Sequence, residues 1–388
     1  MRPREWKFKA GLAILVGALL LLTFPWIQWR AAPSRVIDVV IVDKTVPDIS
    51  YREHKGLIWL LNQQKIVDQS GAGYQYDKSY YGYHPHKTGD ERMRRLPATL
   101  RGADLIYLAD SYGIYNSVHS KEEREEQIEE LVYGGMNLTD VQKIQAAAMT
   151  GTTIIAEHSI LAAPTAQSVS RQLQKMLGVE WKGWAGKYYE NLSTEVPLHI
   201  MEKYTEQTGK EWSYSGIGIV LIHHEGEVIV LDRQDLRESG MSISFSKENS
   251  DKYNVERSAR YNQWFEVVAP KSGAETVANY KLELTSSGSA KLRRAGVPAQ
   301  FPAIIQYEQK SHQSYYFAGD FAERTVSPLM VQYKGWDKFV GSFIPDSSPN
   351  AFYWNIYIPM MKTILSYIES RQVYIYESDE EESIQKRV

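Results

Sequence analysis

Apolar runs alternate with amphipathic stretches along most of the chain, and the alternation by itself predicts elements. Val36 to Val42 form an almost continuous apolar run that stops at Asp43 and a turn containing Pro47. Such a run reads as a strand buried on both faces with a polar exit. "YREHKGLIWLLNQQKI" then places Leu57, Leu60 and Leu61, together with His54, on one helical stripe, the crossover that a parallel sheet requires. "ADLIYLADSYGIY" repeats the strand-then-aspartate pattern at Asp110. "KEEREEQIEEL" predicts a solvated helix. Thr139, with Gln142 three residues on, predicts the start of another helix. "TTIIAEHSIL" ends a strand on three polar residues, Glu157, His158 and Ser159; Thr165 and Gly178 then bracket a further helix. "GIGIVLIHH" and "EVIVLD" predict a hairpin turning at Glu225 and Gly226.

From residue 237 to residue 299 the pattern turns polar and breaks into short strand-like pieces, which predicts an inserted β-rich subdomain outside the main sheet. The earlier rhythm resumes at "PAIIQYE" and "SYYFAGDFAE" and closes on a helix around Pro359 to Ile368. The expected fold is α/β, a doubly wound, mostly parallel sheet of the flavodoxin-like kind. Its first part covers 36–236 and its last part 300–370, with 371–388 an acidic tail whose end, "ESDEEESIQKRV", is expected to be disordered.

Residues 10–29 carry no charge and match the ~20 residues a helix needs to cross a bilayer, so the chain is expected to open with a transmembrane signal anchor. Arg2, Arg4, Lys7 and Lys9 would keep residues 1–9 cytoplasmic, and Trp6, Trp26 and Trp29 would sit at the interfaces. Arg30 occupies a place where cleavage before Pro33 would need a small residue. A single-pass protein of the cell membrane with an extracytoplasmic main domain is the expectation. Its formal net charge of −3 lacks the basic excess of a nucleic-acid binder. The chain has no cysteine, which removes disulfides, thiolate nucleophiles and zinc-thiolate sites together.

The polar strand exits carry the candidate chemistry. "GTTIIAEHSILAAP" and "YYFAGDFA" resemble, in order and spacing, the class I glutamine amidotransferase-like superfamily, particularly its trehalose-utilisation-like branch. The resemblance spans about 36–235 and 300–370. It implies an amidotransferase-like α/β fold in which His158 stands at the nucleophile position and Asp320, after Gly319, near the family's catalytic histidine. Without cysteine, glutamine hydrolysis through a thiolate is excluded.

His158, Glu157 and Asp320 are therefore the candidate catalytic residues, and Asp43, Asp110, Ser159 and Gly319 the candidate ligand-binding ones. Ser159 lacks a G-x-S-x-G elbow. No cofactor is assigned, although carboxylates beside a histidine could bind a divalent cation. Lys44 is available as a counter-charge. His84 and His86 could offer two imidazoles from a Tyr-rich loop, whereas His223 and His224, adjacent on a strand, should point to opposite faces. The expected role is a ligand-binding or assembly component of the cell envelope, with a carbohydrate or an envelope protein as partner. The alternative is a hydrolase or lyase acting on an envelope sugar or glycan through His158, Glu157 and Asp320.

Overall fold

The computed structural model describes residues 3–117, 129–325, 328–346 and 348–385. Its centre is a parallel sheet of β1 (Val39–Asp43), β2 (Tyr81–Tyr83), β3 (Leu105–Asp110), β4 (Thr153–Ala156) and β5 (Gln313–Phe317). These strands lie in the order β2-β1-β3-β4-β5, the flavodoxin-like order in which the chain reverses direction of growth between β1 and β3. Both faces are covered: every residue of β1, β3, β4 and β5 is buried. That explains the uninterrupted apolar runs, since each fully buried Ile, Leu or Val contributes about 1.5–3 kcal/mol.

The helices α1 (Pro3–Ala31), α2 (Arg52–Gln63), α3 (Leu138–Ala148) and α4 (Gln167–Met176) come in the expected order. α2 buries Leu57, Leu60 and Leu61 completely. α3 starts earlier than expected: Asn137, not Thr139, caps it, its side chain accepting from Asp140 N. Thr165 does not cap α4; its hydroxyl accepts from Met136 N.

The segment 237–299 is not a separate lobe. Leu236–Phe245, Ser258–Tyr261 and Ala274–Leu284 join Gln300–Glu308 as an antiparallel extension hydrogen-bonded onto β5, and Met93–Arg94 closes the opposite edge, giving ten strands. The sheet is thus parallel at its core and antiparallel along one flank. Phe265–Pro270, from the same segment, pairs with Val179–Tyr189 in a second, four-stranded antiparallel sheet that also holds the hairpin Gly218–His223 and Val228–Leu231. The hairpin turns at Gly226, whose φ of +98° suits glycine. The polar pattern misled because antiparallel strands solvated on one face alternate, whereas parallel core strands do not.

Most of "KEEREEQIEEL" lies outside the described residues; its end belongs to the strand Glu129–Tyr133, paired with Ile114–Ser117. Near the C-terminus lie α5 (Trp336–Phe343) and α6 (Ile358–Gln385), and α6 runs helically through the stretch expected to be a disordered tail. Among the described residues no helix is long and apolar enough to cross a membrane. α1 is continuous over the expected span 10–29, and several of its side chains, at 3–8, 10, 14, 18, 21 and 22, lie outside the described ones.

Candidate functional site

The strand order decides where chemistry can gather. β1 and β3 end with Asp43 opposite Asp110, after a register shift at Val42, at the switch point of the strand order, beyond whose carboxyl ends open α/β sheets place their ligands. Asp43 is fully buried and fully engaged: one oxygen accepts from Thr45 N at 3.0 Å and the other lies 2.5 Å from His54 Nδ1. His54, in the first turn of α2, places its Nε2 2.9 Å from Tyr76 O. Asp43 is therefore a structural partner of His54 rather than a ligand-binding residue. Both bonds made by Asp110, from Thr45 Oγ1 and from Tyr112 N at 2.6 Å, fall on Oδ1.

His158 and Asp320, 162 positions apart in sequence, meet at this point. His158 Nδ1 lies 2.5 Å from Asp320 Oδ1, an approach off the ring N–H axis that leaves Nδ1 without an aligned hydrogen bond. One ligand-competent atom each from Asp110, His158 and Asp320 lies within 4.8 Å of the other two. The three side chains are nearly closed off, and His158, with 12% of its side chain accessible, has the most open face of the pair with Asp320. Burial works against the imidazolium, but Asp320, then Asp110 and Glu266, outweigh it and push His158 up to about 10. Burial pushes Asp110 up to about 6, opposed by His158 and Thr45.

A second group was not legible in the sequence. Glu53, from the first turn of α2, and Glu323, three residues past Asp320, bring carboxylate oxygens within 4.8 Å of Asp320 and of each other. Arg52 stands between them, its Nε 2.7 Å from Glu53 and 3.5 Å from Glu323. Burial and the neighbouring carboxylates raise Glu53 well above its ordinary range, and burial with Asp320 raises Glu323 to about 7. The available signal was Glu53-His54 opening a helix directly after a strand exit.

Other expected site residues have structural work. Glu157 is turned inward, accepting from Tyr107 Oη and from the N–H groups of Phe321 and Ala322 at 3.0 Å each. It fixes the backbone just past Asp320 and is not part of the Asp110–His158–Asp320 cluster. Ser159 supplies the sharp turn, with a left-handed φ of +68°; its N–H donates to Glu266 at 3.3 Å and its Oγ accepts from Ser111 N. Gly319 has a packing role. A Cβ there would stand 2.2 Å from Tyr261 Oη and 2.4 Å from Tyr280 Oη, so glycine is required by packing. Lys44 points elsewhere, to Asp140 and Gly135 O, both at 2.8 Å.

Glu266, on a strand of the second sheet, is buried beneath the His158 turn and also receives the hydroxyl of Tyr316. A lone acid inside the apolar "WFEVV" was its only mark in the sequence. His84 stacks on Tyr80 with centroids 4.2 Å apart, and Tyr80 in turn lies 4.7 Å from His54; no third metal-ligating side chain joins His84 and His86 among the described residues. His223 and His224 do not diverge: the strand ends at His223, and the two rings lie 4.4 Å apart over Gly183.

No family model and no curated protein sequence matches the chain. Solved structures with a similar chain trace include a β-galactosidase from Rahnella sp. R3, 13% identical with a TM-score of 0.35 over 77% of this chain and 30% of that one. A cytoplasmic protein of Salmonella typhimurium LT2 is 11% identical with a TM-score of 0.38, over 86% of this chain and 99% of that one. A ThuA-like protein from Parabacteroides merdae is 7% identical with a TM-score of 0.36, over 74% and 79%. This chain spans about 30% of the length of the β-galactosidase. At these scores the likeness assigns no activity, and the site rests on its own geometry.

Proposed function

We propose that this protein is a membrane-anchored hydrolase that holds a divalent cation between Asp110, His158 and Asp320 and acts on a polyhydroxylated molecule of the cell envelope. The observation that carries the reading is the convergence of those three side chains within 4.8 Å, from three separate strand ends. Carboxyl pairs working directly on a glycosidic bond stand about 6.5–9.5 Å apart in inverting enzymes and about 5–5.5 Å in retaining ones; the third, imidazole donor beside Asp110 and Asp320 favours a shared cation over either pair. Mixed imidazole and carboxylate donors this close suit a cation such as Zn²⁺ or Mn²⁺. The cation would lower the pKa of a bound water and supply the positive charge that the His158 imidazolium now provides. His158 would then bind as neutral imidazole. Tyr112, two residues past Asp110, is exposed, and its ring lies beside that of Tyr115, centroids 5.1 Å apart and planes tilted by 43°, an aromatic surface suited to a sugar face.

The anchor is proposed from the uncharged span 10–29, supported by Leu15, Leu19, Leu20 and Phe24, each more than half exposed on α1. A second reading, binding without turnover, is favoured by one observation: Glu157, the residue best placed in sequence to assist His158, is consumed by structural bonds.

The test is thermal melting of the purified protein with Zn²⁺, Mn²⁺, Mg²⁺ or Ca²⁺. A cation bound at a thousandfold excess over its Kd should add about 4 kcal/mol, with Zn²⁺ or Mn²⁺ ahead of Ca²⁺, and Asp320→Asn should abolish the gain. A melting temperature indifferent to all four would dismiss the metal centre. Binding-only function would show the cation effect with no hydrolysis of model glycosides or acetyl esters.

A further inference from the structure

Leu329 at 73%, Phe339 at 55% and Phe343 at 75% leave three large apolar side chains exposed within one short segment, whereas Ile49, Met149 and Leu198, comparably exposed, come from three different ones. α5 divides into two faces. Asp337 turns inward to Lys362, 2.5 Å away, and Val340 packs on the core. Phe339 and Phe343 are exposed, and the ring of Trp336, itself partly buried against the core, continues their ladder with centroids 5.4 and 5.0 Å apart, the i, i+3, i+7 spacing of one helix. The charged side chains left exposed between Leu329 and Phe343 are Lys334 and Lys338, both basic, since Asp337 is buried and paired.

This ridge stands beside the end of α1: Lys334 N donates to Pro25 O at 3.2 Å. Trp29 is also tied into the domain, its Nε1 donating to Gln63 O at 2.9 Å, and the Gln63 amide donates to Tyr333 O at 3.2 Å. The C-terminal part of α1 is thus tied to the segment that carries the ridge.

We infer that the 329–343 segment is a second membrane contact, with Leu329, Phe339 and Phe343 entering the interfacial layer of the bilayer and Lys334 and Lys338 facing anionic headgroup phosphates. This rests on the reading of α1 as a membrane anchor. An apolar stripe whose own exposed charges, Lys334 and Lys338, are both basic, with one acidic residue, Asp346, beyond its end, matches an anionic lipid surface better than a protein groove, where exposed lysines are disfavoured. It also sets the distance of the site from this contact: α2 begins at the carboxylate cluster with Glu53 and ends at Gln63 beside the ridge, and its twelve residues span about 18 Å.

Because the chain has no cysteine, single-cysteine variants of the full chain report one position each. Phe343→Cys, Leu329→Cys and Phe24→Cys, each carrying a bimane label, would be reconstituted in phosphatidylglycerol-containing nanodiscs. They would be exposed to brominated acyl chains or to aqueous iodide. The expected result is loss of most emission to brominated lipid at all three positions, with little loss to iodide. Leu329, in a loop, keeps the test readable if Phe343→Cys does not fold. If Phe24→Cys is quenched by lipid while Leu329→Cys and Phe343→Cys are quenched by iodide, the second contact is overturned and the anchor stands. If Phe24→Cys is itself quenched by iodide, the anchor fails and the inference with it. Protection of Leu329→Cys and Phe343→Cys from both quenchers would mean that protein covers the ridge, which also overturns it.

Discussion

At the level of single residues, the site separates side chains that hold charge for use from those that hold the frame. Glu157 and Asp320 make the contrast testable. Glu157 accepts three bonds from groups that are themselves buried; replacing one carboxylate oxygen by an amide leaves a donor facing donors. Glu157→Gln should cost about 1–3 kcal/mol, seen as a lower urea midpoint, while leaving cation affinity per folded molecule nearly unchanged. Asp320→Asn should do the reverse, removing the cation response and returning the His158 titration, followed by NMR of the imidazole, from about 10 toward or below its ordinary 6.5. Equal destabilisation by both, with an unmoved His158 titration, would put Asp320 in the frame as well. Glu157 was legible as a strand exit but not as a frame residue, because its partners Phe321 and Ala322 follow a strand 160 or so positions later.

At the level of elements, the joint between the two sheets positions the site. Phe265 bridges to Gly319, Glu266 N donates to Ala318 O at 2.9 Å, and the Glu266 side chain reaches the His158 turn. The joint has no room for another carbon at Gly319. Gly319→Ala should therefore destabilise by about 1–3 kcal/mol through overpacking and displace Asp320, weakening cation binding as well as lowering the denaturation midpoint. A variant with native stability and native cation response would show that the two tyrosine hydroxyls can move aside. The sequence pattern marks "WFEVV", residues 264–268, as strand-like but cannot say which sheet receives it. Both candidate sheets offer the same backbone groups, and long-range side-chain packing makes the choice.

For the whole molecule, the clustered charges should show in the pH dependence of stability. His158 sits at about 10 in the folded protein against 6.5 ordinarily, so its contribution is fully present below pH 6.5 and is lost as pH rises through 10. Asp110 at about 6 and Glu323 at about 7 also lie above their ordinary values, so ionising them costs stability between about pH 4 and 7. Both effects have the same sign: the folded form binds more protons. The urea midpoint of cation-free protein should fall from pH 5.5 to pH 9, and a bound cation should flatten the decline. A midpoint that rises over that interval would contradict the charge arrangement. What the sequence determined by itself was local: buried strands from continuous apolar runs, their polar exits at Asp110, Glu157-His158-Ser159 and Asp320, the hairpin at Gly226, and the uncharged stretch at 10–29. Periodicity and turn chemistry are properties of neighbouring residues, so they survive without a fold. Only the tertiary structure decided that Asp110, His158 and Asp320 converge while Asp43 is taken by His54, that Glu53 and Glu266 join from a helix start and a second sheet, and that 237–299 extends the main sheet. Those outcomes depend on strand order and on competition for buried hydrogen-bond partners. Both are settled by contacts between distant segments, and a linear pattern carries no record of them.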